Sequence, residues 1–99
     1  MKIVIGPASY SVILDKKMNG IVYPTGDRPF GLYDPLNSVI RIREELKNDH
    51  RYGTLWHEIV HAFNYMFSVE LSEEQVNVLG SCIAEALIRN RNLLPDRWL

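Results

Sequence analysis

Apolar positions recur with two different periods along this chain, and the change falls near its middle. In the first half they alternate or form short runs. Lys2 to Ile5 and Tyr10 to Leu14 predict strands around a Gly6-Pro7 turn, the second with Tyr10, Val12 and Leu14 on one side. Tyr23 to Pro29 is dense in turn formers and predicts a loop. Phe30 to Tyr33 and Ser38 to Ile42 predict a hairpin across Asp34-Pro35-Leu36-Asn37.

In the second half the step becomes three and four residues. Leu55, Ile59, Ala62, Phe63 and Met66 make a stripe flanked by Tyr52, Trp56 and Phe67, which predicts a helix capped by Asn48 or Asp49 and running to about Phe67. Leu71-Ser72-Glu73-Glu74-Gln75 reads as the next helix start, with Ser72 as N-cap and Gln75 closing a capping box. That helix should reach about Arg91, turning Val76, Leu79, Ile83, Ala86 and Leu87 to the same core, and Pro95 opposes continuation. Strands followed by helices, without regular alternation, argue for an α+β domain: a small antiparallel sheet covered on one side by two helices.

The 99 residues suit a single domain, 1–99, with a modest core. Hydrophobic content of 46% and charged content of 23% are ordinary for a globular chain. A net charge of −1 gives no electrostatic reason to expect nucleic acid or an anionic membrane as partner. Arg89, Arg91 and Arg97 read as a solvated helix terminus. Cys82 is single, so it cannot close an internal disulfide, and its apolar neighbours predict packing in a reducing compartment. The Ile3-Val4-Ile5 run is too short for a signal peptide or a span, and the expected location is the cytoplasm of a bacterium, host or phage-encoded.

The candidate chemistry lies in His57-Glu58-Ile59-Val60-His61. Four helical positions advance the chain by little more than one turn, so both imidazoles leave one face and can meet one cation. That face lies opposite the apolar stripe. Glu58 points to one side of the pair, where a carboxylate can act as a base on water instead of as a ligand. A catalytic zinc site takes three protein ligands, so one more donor must come from elsewhere. His50, Cys82, Glu70, Glu73, Glu74 and Glu85 are the available residues. Glu73 and Glu74 also suit a helix N-terminus for electrostatic reasons alone, which leaves the third ligand open at this point.

These residues, with Gly31-Leu32-Tyr33-Asp34-Pro35 and Ser38-Val39-Ile40-Arg41-Ile42 upstream, resemble the small gluzincin-type metallopeptidases of the ImmA/IrrE-like group, especially the short phage and prophage forms. The resemblance covers about Lys2 to Asn90. It implies a minimal zincin-like fold and a zinc ion held by His57, His61 and a glutamate of the next helix, in a pattern of Glu, three residues, then Asp or Asn. Glu73 and Asn77 match that pattern. Glu73 is then the third ligand, with Glu74 as the alternative, and Asn77 supports a ligand histidine through a hydrogen bond. The implied reaction is peptide hydrolysis, with Glu58 carrying the proton and Tyr65 or Tyr33 donating to the developing oxyanion. The implied partner is a peptide or protein, such as a repressor-type regulator, added as a strand at a sheet edge beside the metal. The chain departs from the pattern in lacking an apolar-Met-Pro ending and in carrying Asn77 where many zincins have aspartate. The alternative is a zinc-stabilised phage accessory domain that binds a protein partner without catalysis.

Overall fold

A computed structural model describes residues 1–90. The expectations placed on Arg91, Pro95 and Arg97 lie outside them. Four strands precede two helices: β1 (Lys2–Ile5), β2 (Ala8–Asp15), β3 (Gly31–Asp34), β4 (Val39–Arg43), α1 (Asn48–Phe67) and α2 (Glu73–Asn90). The architecture is α+β, as the switch in apolar period predicts.

The sheet runs β1-β2-β4-β3. β1 with β2 and β3 with β4 are antiparallel hairpins, and the second is inserted so that β4 lies parallel to β2, from Ser11 opposite Val39 to Asp15 opposite Arg43. The sheet is therefore mixed, which corrects the expectation of a wholly antiparallel one. Alternation fixes which side chains share a face but is blind to strand direction, and the long connection from Lys16 to Phe30 leaves the second hairpin free to enter by either edge. Arg43, only 1% exposed, ties that connection down: its Nη1 donates to the carbonyls of Ile21 (3.0 Å) and Pro29 (3.2 Å), and its Nε to Glu45.

The core lies between the sheet and α1, built from Ile5, Tyr10, Ile40, Ile42, Ile59 and Ala62. α1 crosses β3 and β4, whereas α2 packs mainly on α1. Among the described residues α1 alone covers the sheet, because α2 offers the small face Val76, Gly80 and Ala84 that lets it sit close against its neighbour helix. Leu79 and Phe63, expected in the core, flank that contact and remain about 40% exposed, and Ala86 and Cys82 face solvent. Among the described residues no side chain caps the start of α1; Lys47 holds the N-cap position, and the carboxylate of Asp49 lies in the positive first turn. The capping box of α2 forms as its sequence predicts, with the Gln75 amide on Ser72 Oγ (3.1 Å) and the Ser72 amide on Gln75 Oε1 (2.9 Å).

Candidate metal centre

α1 carries both histidines into a groove bounded by β3 on one side and α2 on the other. The helix ends at Ser68, which is left-handed (φ 50°), and Glu70 (φ 64°) bends the chain again before α2 begins. Asn64 fixes this reversal: its Oδ1 accepts from the Leu71 amide at 2.9 Å and its Nδ2 donates to the Leu71 carbonyl at 3.3 Å. α2 therefore starts beside the motif and returns along it.

Its first residue completes a convergence. His57 Nε2 and His61 Nε2 are 3.1 Å apart, Glu73 Oε1 is 3.2 Å from the former, and Glu73 Oε2 is 3.3 Å from the latter. Bonds of about 2.1 Å to a four-coordinate zinc would separate its donors by about 3.4 Å, so this set fits one small ion. Two imidazole nitrogens at such a distance oppose their lone pairs unless a proton or a cation lies between them. Burial, and then the neighbouring His61, hold the His57 ring below its usual pKa against the pull of Glu73, which favours its unprotonated, ligating form.

Glu58 is 5% exposed, and its carboxylate lies 4.0 Å from His57 Nε2. Burial, then the charge of Glu73, pushes its pKa up to about 7. His57, Glu58 and His61 present donor atoms within 4.8 Å of one another, a group that can hold a metal ion. Glu73 reaches both ring nitrogens more closely than Glu58 does, so Glu58 flanks the donor set. What buries it is β3: a Cβ built at Gly31 would stand 2.7 Å from Thr54 Cγ2 and 3.0 Å from Glu58 Cγ.

Two recesses meet at Gly31 and Glu58. One, of about 390 Å³, is lined by Phe30, His50, Thr54, Asn77 and Ser81; the other, of about 230 Å³, by Leu32, Tyr33 and His61. Among the described residues β3 is an edge strand. The Arg43 amide bonds the Phe30 carbonyl, and the antiparallel register repeats this pairing at Leu32, so Gly31 and Tyr33 turn their amides and carbonyls to the open side above the groove.

The remaining predicted residues separate. Glu74 is exposed and forms no ion pair with either histidine, Glu85 pairs with Arg89, and His50 stacks edge-on against Phe30. Asn77 lines the larger recess, but among the described residues it hydrogen-bonds neither ring. Tyr10 reaches Met66 Sδ and shares a hydrogen bond of 2.9 Å with Tyr33 Oη, which engages the Tyr33 hydroxyl with a core residue. Tyr65 stands 63% exposed at the rim, its ring edge-on to Tyr33. Sequence reasoning missed Asn64, Gly31 and Gly80. Gly80 left a signal, since glycine inside a helix costs about 1 kcal/mol and invites a packing explanation. Asn64 left none, because its contact spans a loop.

Compared with described protein families, with curated proteins and with solved structures, the chain matches none. Among the described residues no helix is long and apolar enough to cross a membrane.

Proposed function

We propose that this protein is a zinc-dependent metallopeptidase built on a minimal gluzincin-like plan. The observation that carries the proposal is the convergence of His57, His61 and Glu73, three donors 3.1 to 3.3 Å apart, beside a buried carboxylate that stands outside the set. Two nitrogens with one carboxylate suit zinc, and the resemblance to ImmA/IrrE-like peptidases points the same way. A bound zinc would supply Lewis acidity, polarising a carbonyl and lowering the pKa of water.

The chain supplies the rest. Glu58, a buried carboxylate beside the donor set, takes a proton from water and returns it to the leaving amine. Gly31, lying over Glu58, shields it from bulk solvent. An extended peptide binds along β3 by strand addition, held by the free amides and carbonyls of Gly31 and Tyr33. Of the two tyrosines, Tyr65 is the better oxyanion donor, since Tyr33 is engaged with Tyr10. The rival reading, a zinc domain that only binds a partner, gives no reason to bury Glu58, because a carboxylate taken from water costs stability that a purely structural site would not need to lose.

Metal analysis and hydrolysis of unstructured peptides, followed by mass spectrometry, test the proposal. The wild type should bind one zinc per chain and cleave. His57→Ala and His61→Ala should lose the metal, Glu58→Gln should keep it and lose cleavage, and Glu73→Ala should weaken it far more than Glu74→Ala. Stoichiometric zinc in the histidine variants would refute the site, and cleavage by Glu58→Gln would refute the mechanism.

A further inference from the structure

Gly80 lies seven residues after Glu73, two turns along the same face of α2, and opposite the backbone of His57. A Cβ built there would stand 2.8 Å from His57 Cα, 3.0 Å from His57 N and 3.4 Å from His57 Cβ. The first two obstacles are backbone, which cannot rotate aside. Ordinary contact between carbons needs about 3.5 to 4.0 Å, so any side chain at this position forces the helices apart by about 1 Å. The helix itself would prefer alanine here.

From these contacts, and resting on the zinc reading above, we infer that Gly80 is a positioning residue: its missing Cβ sets the spacing between α1 and α2 at which Glu73 spans both histidines. Glu73 is aligned with the pair by the helix that carries it, and at Gly80 that helix lies against the backbone of the residue bearing the first ligand. Metal bonds tolerate errors of about 0.2 Å. A shift of about 1 Å at Gly80, carried along α2, takes the carboxylate out of range of at least one ring while leaving His57 and His61 on their own helix undisturbed.

The test is a double-variant cycle on zinc affinity, measured by competition with a chromophoric chelator. Gly80→Ala should weaken zinc by roughly tenfold or more, the range seen when supports of metal ligands are removed. Placed on Glu73→Ala, the same change should cost less than about threefold, since the donor it displaces is already gone. Gly53→Ala is the control: it also removes a helical glycine, but among the described residues its Cβ would meet nothing within 4 Å, so zinc affinity should hold. Urea unfolding of the chelated proteins shows that each variant folds. Wild-type affinity in Gly80→Ala, or the same loss in both backgrounds, overturns the inference while the zinc reading stands. A wild type that takes up no zinc overturns both.

Discussion

Replacing Asn64 with alanine isolates the step that brings the second helix to the first. Its carboxamide makes two hydrogen bonds to the backbone of Leu71, at 2.9 and 3.3 Å, in a partly buried position. Each is worth about 1 kcal/mol net, and a Leu71 group left dry costs somewhat more, so Asn64→Ala should lower the stability of the chelated protein by about 2 kcal/mol. The effect on zinc should be separate. With the clamp gone, about two residues of the Ser68 to Ser72 turn gain freedom that metal binding must remove at about 1 kcal/mol each, so affinity should fall by about ten- to a hundredfold. Because Glu73 itself remains, the loss should be smaller than that of Glu73→Ala. Asn64→Asp keeps the acceptor for the Leu71 amide and should fall between wild type and alanine in both measurements. Urea denaturation with chelator gives the stability, and zinc competition gives the affinity. If Asn64→Ala matches wild type in both within about 0.3 kcal/mol, the loop is held by something else and the argument fails.

Gly31→Ala should destabilise by about 1 to 3 kcal/mol, since its Cβ meets Thr54 Cγ2 at 2.7 Å, and adding Thr54→Ser, which removes that methyl, should recover part of the loss in thermal melts; no recovery would refute the contact. In the chelated protein, burial raises the Glu58 pKa to about 7 from about 4.5 in an exposed glutamate, so its contribution to stability, read as wild type minus Glu58→Gln, should be full in acid and fall by about 3 kcal/mol as pH rises from about 5 to 7, opposite in sign to that of His57, whose pKa burial lowers. Glu58→Gln should lack that fall, and zinc should flatten the wild-type curve because a cation favours the ionised carboxylate; parallel urea-midpoint curves for the two proteins would refute the buried charge. Arg43→Met should release the Ile21 and Pro29 carbonyls and raise hydrogen exchange through the Lys16 to Phe30 connection, and unchanged exchange would show that Arg43 does not hold it.

Local physics made the motif legible. Helical pitch alone puts His57 and His61 on one face, and the capping box at Ser72 and Gln75 is written in four consecutive residues, so α2 begins where its sequence says. The two periods of apolar residues gave the order of elements, within two residues at most described ends. Direction and distance were another matter. Whether β4 lies parallel to β2, whether Leu79 meets the core, and whether Glu73 or Glu74 turns inward all depend on how elements pack across the chain, and packing answers to side-chain volume more than to pattern.

The sequence by itself determined which side chains can act together on α1, because a helix fixes angles between near neighbours without reference to the rest of the molecule. Tertiary structure decided the rest of the site. It buried Glu58 under Gly31, made β3 the open edge, and used Asn64 and Gly80 to bring a carboxylate from sixteen positions after His57 to within about 3 Å of its ring, a distance that only close contact between two helices could set.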